Sequence, residues 1–416
     1  NITNVGGGQG KITGGTGGGT FTGLITLTNS IDLRGNDLTF SGGVTSTDQG
    51  FGINGARYVI DTVAIDLDSD DSDGAGALSI TSASNSLANA TQLNVGGNDW
   101  DFARINFGGY LLIGGDNYMP VDAGVEFGWS NDGQSQATLD LGGNNQEVAF
   151  LRQTSFYGGV NGDQNITNSG STDSSLTINT AAGTYDFHGR ITNGATNSMS
   201  IVKDGVGTQI FDNNSGIASS YTGTTTVNGG VLQIGDNDGT GDTASTLIGD
   251  IVINSGGTLR MATDAFNQFS LTGAPTVTIN DGGVMETVST NNNAHNLYGA
   301  LILNGGTLTS SGGTYSGGNW IFNDGVTVGG STVSTISATS IGIRNNSAFN
   351  VADATGDAST DLLVSSIIED TGGGTNNLTK TGAGTMELSA ANTFTGNVLI
   401  SGGTLATSGS GGGRLG

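Results

Sequence analysis

Five aspartates in a dense acidic run near residue 70 are the first residues whose types and spacing could do chemistry. The run consists of Asp66, Asp68, Asp70, Asp71 and Asp73. Carboxylate oxygens are the ligands that Ca²⁺ prefers, so this run predicts a calcium site, the single candidate cofactor of the sequence. The spacing is not that of an EF-hand, because Asp71 stands where that loop has glycine and no glutamate closes it. A solvated acidic loop is the alternative interpretation.

Two further groups of residues, a second acidic loop and the histidines, are weaker candidates for a functional site. A second acidic loop with Asp236, Asp238 and Asp242 is a lesser calcium candidate, for which a plain loop is the favoured interpretation. The histidines, His188 and His295, are isolated in the sequence and give no Ser-His-Asp set or histidine metal site. We expect both to be turn or surface residues.

Aromatic residues with acids nearby could form a platform on which sugar rings stack. The acids Asp99, Asp101, Asp122 and Glu126 lie among these aromatics in the sequence, with Arg104 and Arg152 as the basic residues. A polysaccharide-active protein would pair such aromatics with carboxylates in a groove. Burial of the aromatics in the core is the favoured alternative. The aromatics concerned are Trp100, Trp129, Trp320, Tyr110, Tyr118 and Tyr157.

The charge balance excludes several classes of partner. The 416 residues contain 36 acidic and 11 basic side chains, a net charge of −25. Binding to nucleic acid needs a cationic surface, so we expect no nucleic-acid partner. The sequence has no apolar run of about 18 residues, which predicts that this segment does not insert directly into a membrane. With no cysteine, it has no disulfide framework and no thiolate metal site.

The elements that must position these residues are short β-strands. Apolar residues alternate with Thr, Val and Ile, as at Leu301-Ile302-Leu303, and pairs of Gly, Asn and Asp separate the runs. Turns with positive φ require such residues, which explains part of the 76 glycines. No segment has the pattern of a helix, so the sequence predicts an all-β fold.

The turns recur at a fixed period. Segments beginning at Val227, Ile253, Ile279 and Leu303 each lead into a Gly-Gly turn, and their starts are 26, 26 and 24 residues apart. A final copy begins at Ile400, 97 residues after Leu303, which is about four more periods. A period in the twenties is typical of a solenoid. The sequence therefore predicts a single-stranded parallel β-helix, a β-solenoid of about 25 residues per coil.

A longer duplication lies over this period. Lys203 and Lys380 match at an offset of 177 residues, and the glycines that follow them match as well. Tyr221-Thr222-Gly223 then corresponds to Phe394-Thr395-Gly396. We interpret the two lysines as repeat-defining residues that pair with nearby aspartates on a turn.

The segment from Leu378 to Leu405, with its Lys380-Thr381-Gly382-Ala383-Gly384-Thr385 motif, closely resembles the autotransporter-associated β-strand repeat of bacterial passenger domains. The resemblance is clear at 201–232 and 378–405 and weaker over the Gly-Gly coils between them. It implies a right-handed parallel β-helix at the bacterial outer surface. It implies no catalytic residues, because the family has none in common.

The sequence divides into three parts. The sequence pattern of residues 1–180 predicts irregular β-solenoid coils, or a capping region, with longer loops. Residues 181–407 predict the regular β-helix with the passenger-type repeats, and residues 408–416 form a Gly- and Ser-rich end.

Three functions fit this organisation. The favoured one is a non-enzymatic, extracellular, structural or adhesive surface protein, a β-helical rod that self-associates end to end into filaments through its unpaired edges. Glycans and host or neighbouring cell surfaces are candidate partners. The alternative is a polysaccharide-active or glycan-binding β-helix protein, for which Thr224-Thr225-Thr226 suggests a threonine face.

Overall fold

In the computed structural model the chain forms short parallel strands joined by turns and loops. Two compact units divide the chain, the first formed by Asn1–Val202 with Asn213–Ile217 and the second by Lys203–Asp212 with Ala218–Gly416. The described residues are 10–13, 19–27, 31–35, 38–46, 51–55, 58–60, 65–67, 77–81, 85–106, 108–128, 136–153, 164–212, 219–235, 247–262, 269, 273–288, 294–311, 319–371 and 374–408.

The first unit is built from strands of two to six residues. A 3-10 turn at Leu87–Asn89 is its helical element within the described residues. Strand β22 (Met199–Asp204) contains the division between the units. The preceding strands are β1 (Gly10–Thr13), β2 (Gly19–Phe21), β3 (Ile25–Leu27), β4 (Ile31–Gly35), β5 (Leu38–Phe40), β6 (Val44–Ser46), β7 (Phe51–Gly55), β8 (Tyr58–Ile60), β9 (Ile65–Asp66), β10 (Ala77–Thr81), β11 (Thr91–Leu93), β12 (Phe102–Ile105), β13 (Tyr110–Ile113), β14 (Gly124–Phe127), β15 (Ala137–Asp140), β16 (Gln146–Val148), β17 (Leu151–Gln153), β18 (Gln164–Thr167), β19 (Ser174–Asn179), β20 (Thr184–Phe187) and β21 (Arg190–Ile191).

The strands of the first unit pair with strands two or three places away in the chain, and always in parallel. One sheet has the order β1-β4-β7-β10-β12-β14-β17 and a second has the order β2-β5-β8-β11-β13-β15-β18-β21. Shorter pairings join β3-β6-β9 and β16-β19. Each sheet therefore takes one strand from each successive coil, which is the topology of a β-solenoid.

The second unit repeats this arrangement. Its sheets have the orders β24-β26-β28-β31-β34-β37-β40-β42, β23-β25-β27-β29-β32-β35-β38-β41-β43 and β30-β33-β36-β39. Its strands are β23 (Thr208–Phe211), β24 (Thr225–Val227), β25 (Gly230–Ile234), β26 (Ile251–Ile253), β27 (Gly257–Met261), β28 (Val277–Asn280), β29 (Val284–Thr287), β30 (His295–Leu297), β31 (Leu301–Asn304), β32 (Thr307–Ser310), β33 (Trp320–Phe322), β34 (Val326–Val328), β35 (Ser334–Ile336), β36 (Ser340–Ile343), β37 (Ala348–Val351), β38 (Thr360–Val364), β39 (Ile367–Asp370), β40 (Leu378–Thr381), β41 (Thr385–Leu388), β42 (Val398–Ile400) and β43 (Thr404–Thr407).

The register of the second unit confirms the predicted period. Val227 pairs with Ile253, Ile253 with Ile279, and Ile279 with Leu303, so the four repeat starts lie directly beside one another in the sheet. Ile400 lies in β42, four strands after Leu303 in the same sheet order. The chain is thus an all-β parallel β-solenoid with about 25 residues per coil, as the spacing predicted.

The interior is a set of apolar rows that run from coil to coil. In the second unit one row is Val227, Ile253, Ile279 and Leu303, each with no exposed surface. Because strand residues alternate between faces, the middle residues of strands such as β24 and β26 are half-buried while their neighbours on each side are buried. Each fully buried aliphatic side chain stabilises the fold by about 1.5–3 kcal/mol. A single coil contributes few such residues, so stability depends on stacking. No helix in the described residues is long and apolar enough to cross a membrane.

Candidate functional site

The repeated lysine at the end of β22 lies inside the solenoid. Lys203 has no exposed surface. Its ammonium donates hydrogen bonds to the carbonyl oxygens of Asp204, Gly205 and Gly229, at 2.5, 3.2 and 3.3 Å. Two of these carbonyls belong to the turn after the lysine and the third belongs to the turn of the following coil. We call this arrangement the lysine clasp.

The second copy of the repeat has the same clasp. Lys380, also fully buried, donates to the carbonyl oxygens of Thr381, Gly382 and Gly402 at 2.8, 3.0 and 3.1 Å. The acceptors are therefore equivalent in the two copies, although 177 residues separate the lysines. The prediction that these lysines pair with aspartates on a turn is wrong, because backbone carbonyls hold both ammonium groups.

The clasp matches the chemistry of a charged lysine. An ammonium has three donors and no acceptor, and each clasp provides three carbonyl acceptors. Burial lowers the pKa of Lys203 to about 8, while the charge of Asp204 acts in the opposite direction. The pKa of Lys380 is also lowered by burial, with Asp361 opposing the shift. A value of about 8 leaves Lys203 mostly protonated at neutral pH.

Glycines in left-handed conformations bring the carbonyls to the lysine. Gly205 and Gly382, two residues after each lysine, have φ of 71° and 80°. Their partners in the following turn, Gly230 and Gly403, have φ of 58° and 63°. Residues with a Cβ disfavour this region, so the chain needs glycine at both places. The Gly-Gly turns of the sequence thus shape the carbonyl acceptors of the clasp.

The asparagines of the repeated turns form a hydrogen-bonded ladder in the second unit. The side-chain amide of Asn254 donates to Oδ1 of Asn228 at 2.7 Å, and the amide of Asn280 donates to Oδ1 of Asn254 at 2.7 Å. The amide of Asn304 completes the series at Oδ1 of Asn280, at 3.0 Å. The Asn-Gly-Gly period therefore has a physical basis, because each amide bonds to its equivalent one coil away.

A row of alternating charges crosses three strands of the first unit. Arg104 on β12 is in register with Glu126 on β14, and Glu126 is in register with Arg152 on β17. Nε of Arg104 bonds to Oε1 of Glu126 at 2.9 Å, and Nη2 of Arg152 bonds to Oε2 at 2.7 Å. The glutamate side chain is only 1% exposed, whereas that of Arg152 is 34% exposed. The row thus places one buried carboxylate between two guanidinium groups.

Aromatic rings flank this row on the neighbouring positions. The Arg152 guanidinium lies 5.3 Å from the Phe102 ring centroid and 5.2 Å from that of Phe150. Phe150 stacks on Tyr185, with centroids 4.1 Å apart and planes 4° from parallel. The Phe150 ring covers Gly124, where an added Cβ would lie 2.2 Å from it. Both charge pairing and cation–π attraction therefore fix the exposed arginine.

Removal of the central carboxylate should destabilise the first unit. Glu126→Gln leaves two guanidinium groups around a neutral, buried amide, and we expect a loss of about 3 kcal/mol in unfolding free energy. Glu286→Gln is the matched control, because its bond to Nε of Arg260 is 2.6 Å but the pair is partly exposed, at 32% and 18%. We expect that change to cost below about 1 kcal/mol. Urea denaturation measures both, and equal losses would contradict the prediction.

One protein family matches the two segments of the chain that contain the lysine clasps. The family described as passenger-associated-transport repeat matches residues 201–234 and 378–406. Each matched segment contains one lysine clasp with its two glycine turns. These two segments are therefore similar to the passenger-associated-transport repeat. The finding confirms the resemblance of the two copies to bacterial passenger domains.

One curated relative extends this likeness beyond the two matched segments. The adhesin BmaC autotransporter of Brucella suis biovar 1 (strain 1330) is 30% identical over 219 residues, which is 49% of this chain. The chain covers 5% of that relative's length. No solved structure matches the chain. The likeness to autotransporter passenger sequences indicates a location outside the cell or on its outer surface.

The aromatic candidates that lie in the described part of the chain are mainly core residues. Trp100, Trp320 and Tyr110 are 1%, 0% and 9% exposed. Tyr118 is half-buried, while Trp129 and Tyr157 lie outside the described residues. Of the acids, Asp99 and Asp122 are exposed and Asp101 is half-buried. Among the described residues, the structure thus brings together Arg104, Glu126 and Arg152, whereas Trp100, Trp320 and Tyr110 belong to the core.

The acidic candidates for calcium mostly lie outside the described residues. The backbone of Asp66 ends β9, but its side chain is outside the described part of the chain. Asp68, Asp70, Asp71 and Asp73 also lie outside it, as do Asp236, Asp238 and Asp242. Calcium binding by these residues stays a prediction.

Both histidines are buried, so the expectation of turn or surface positions is wrong. His188 is 4% exposed and its Nε2 lies 3.2 Å from a carboxylate oxygen of Asp186. His295 has no exposed surface, contacts the Trp320 ring and pairs through Nε2 with the Thr287 hydroxyl at 2.9 Å. Burial lowers the pKa of His295 to about 4, so it is neutral at physiological pH. Its role is in the packing of the second unit.

Proposed function

We propose that this passenger-repeat chain is a non-enzymatic adhesive part of a bacterial surface protein. The observation that supports this most directly is the pair of lysine clasps, each of which joins two successive coils within one matched passenger repeat. A scaffold of this kind displays outward side chains at a constant spacing along its coils. The likeness to a relative that is named as an adhesin is consistent with the same role.

The charge distribution of the second unit indicates what it could adhere to. Its described residues include two fully buried lysines, and its other described basic residues are Arg260, paired with Glu286, and Arg344. The accessible surface is therefore dominated by acids, which disfavours strongly anionic partners. We propose neutral or cationic host or neighbouring cell surfaces as the partners, with divalent cations able to bridge to anionic ones.

A binding assay with immobilised protein tests this proposal. Beads coated with the folded chain should attach to cells or to glycan-coated surfaces, and beads coated with urea-unfolded chain should not. Because unfolding keeps the charge and composition, it is the matched control for non-specific adsorption. Equal attachment by both, or none by either on a broad panel of cells, would refute an adhesive role.

Self-association into filaments is a finer part of the proposal. Edge strands of parallel sheets expose unpaired backbone groups that can accept another strand. A head-to-tail contact of this type does not close and so gives open assemblies. Electron microscopy should show end-to-end assemblies of the chain. Monomers alone at all calcium and salt concentrations would contradict this part of the proposal.

A glycan-binding or polysaccharide-active role is the second candidate, and the row of Arg104, Glu126 and Arg152 with its aromatic neighbours supports it. Arginine and aromatic rings are groups that bind sugar hydroxyls and ring faces. A polysaccharide screen would detect activity, with loss in Asp99→Asn or Asp122→Asn. A silent screen for both binding and cleavage would exclude this candidate.

A further inference from the structure

The two ends of the asparagine ladder share a dipeptide that its inner members lack. Asn228 precedes Gly229 and Asn304 precedes Gly305, whereas Asn254 precedes Ser255 and Asn280 precedes Asp281. An asparagine before glycine is the chemically labile form, because glycine has no Cβ to hinder attack by its backbone nitrogen. The ladder therefore contains two places with the same intrinsic reactivity but different surroundings.

The reaction in question needs only water. The glycine nitrogen loses its proton and bonds to Cγ of the asparagine, the Cγ–Nδ2 bond breaks, and the nitrogen leaves as ammonia. The resulting succinimide then adds water at either carbonyl, and the ring opens to aspartate or isoaspartate. The rate depends on three features, which are a polarised Cγ carbonyl, an amide free to leave and an accessible glycine N–H.

Asn228 has all three features. Its Oδ1 accepts a hydrogen bond from the Asn254 amide at 2.7 Å, which polarises the carbonyl. Its own side chain is exposed, and within the described residues its amide nitrogen donates no hydrogen bond. The Gly229 N–H is only weakly held, since the carbonyl oxygen of Lys203 lies 3.4 Å away.

Asn304 differs at each of these points. Its amide nitrogen is bound to Oδ1 of Asn280 at 3.0 Å, so the leaving group belongs to the ladder. The Gly305 N–H donates to the hydroxyl of the fully buried Ser334 at 3.0 Å. Asn304 is also half-buried at the end of β31. The attacking nitrogen and the departing amide are both restrained.

We propose that Asn228 is a site of spontaneous deamidation, with Gly229 as its nucleophile, and that Asn304 is protected by Ser334 and the ladder. The two products act differently. Aspartate at this position still accepts from the Asn254 amide and leaves the ladder intact. Isoaspartate adds a methylene to the backbone and displaces the Gly229 carbonyl, which accepts from Lys203 at 3.3 Å. The modification thus loosens the first lysine clasp as the protein ages.

Site-resolved peptide mapping of the full chain tests this. After incubation at mildly alkaline pH, aspartate and isoaspartate at Asn228 should accumulate at least roughly fivefold faster than at Asn304, the factor that one ordinary hydrogen bond represents. Equal rates at the two sites, faster conversion at Asn304, or no conversion at Asn228 would overturn the proposal.

Two variants separate the causes. Gly229→Ala should slow conversion at Asn228 severalfold, since its added Cβ would hinder the attack and its nearest neighbour would be the Gly205 carbonyl oxygen at 3.1 Å. Ser334→Ala frees the Gly305 N–H and should raise conversion at Asn304 towards that at Asn228. A circular dichroism spectrum like that of the parent shows that each variant is folded. An unchanged rate at Asn304 in folded Ser334→Ala would refute the protective role of Ser334.

Discussion

Lys203→Met should lower the unfolding free energy of the second unit by about 3 kcal/mol. Methionine fills a similar volume but has no donor, so it leaves the three carbonyl oxygens of Asp204, Gly205 and Gly229 without the ammonium. A buried polar group that loses its partner costs about 1–3 kcal/mol, and part of this cost is recovered because the buried charge is also removed. Urea denaturation followed by circular dichroism measures the change.

The pH profile distinguishes the clasp from simple packing. Lys203 has a folded-state pKa of about 8 against an ordinary value of 10.5, so between these values the unfolded chain binds more protons. The part of the stability that is linked to this pKa shift is therefore fully present above pH 10.5 and is lost as pH falls through about 8, where the hydrogen bonds of the charged lysine are the contribution that remains. The difference in stability between the parent and Lys203→Met should widen from pH 7 towards pH 10.

Arg260→Met is the matched control for the lysine variant. Its guanidinium is on the outer face of β27 and is 32% exposed, so loss of its ion pair with Glu286 should cost below about 1 kcal/mol. Its pH profile over the same range should follow that of the parent. A loss as large as that of Lys203→Met, or a lysine variant with the parent's profile, would contradict the clasp as a source of stability.

The sequence predicted the scaffold well because its period is a physical requirement. Val227, Ile253 and Ile279 occupy the same register position, and each must be apolar to fill one interior row. The prediction from spacing was therefore correct at the level of single residues. The asparagines one place later had the same spacing, and this signal could also have predicted their ladder.

The acceptors of the lysines were not predictable in the same way. A buried lysine usually pairs with a carboxylate, and Asp204 follows Lys203 directly in the sequence. The actual acceptors are carbonyls whose direction depends on left-handed glycines such as Gly205, and backbone direction does not show in residue types. The histidines were mispredicted for a related reason. Isolated polar residues give no periodic signal, and His295 is neutral in the core.

The charged row of the first unit could have been predicted from the sequence. Arg104, Glu126 and Arg152 are 22 and 26 residues apart, close to one coil each. In a β-solenoid such spacing puts side chains on adjacent strands, and opposite charges there attract one another. The burial of the nearby aromatics was harder to predict, because tryptophan and tyrosine occur both in cores and on surfaces. Trp100 and Tyr110 are buried.

The lysine clasp and the glycine turns together explain why the passenger repeat tolerates variation between its copies. The clasp needs a lysine and backbone carbonyls, and every residue provides a backbone carbonyl whatever its side chain. Asp204 and Thr381 are different residues with the same role. What cannot vary is the glycine that turns the carbonyl inward, since its φ is positive in both copies. Side chains at outward positions can therefore change while the scaffold is maintained.

Gly382→Ala should be among the most damaging single changes in the second unit. Gly382 has φ of 80°, and an added Cβ would lie 2.3 Å from the carbonyl oxygen of Val351 and 2.8 Å from Oδ1 of Asn350. The left-handed conformation costs alanine about 1–2 kcal/mol, and the overlap with backbone adds about 1–3 kcal/mol. The turn must move outward, which also draws the Gly382 carbonyl away from Lys380. We expect a loss of about 3 kcal/mol in unfolding free energy.

Gly356→Ala isolates the part of this effect that comes from crowding. Gly356 has φ of 74°, close to that of Gly382, but a Cβ there would have no neighbour within 4 Å. Conformational strain alone should cost about 1 kcal/mol, so the difference between the two variants measures the contact with Val351. Urea midpoints of both variants give this difference directly. If the two variants lose equal stability, backbone strain alone accounts for the glycine and the clasp does not require its close packing against the preceding coil.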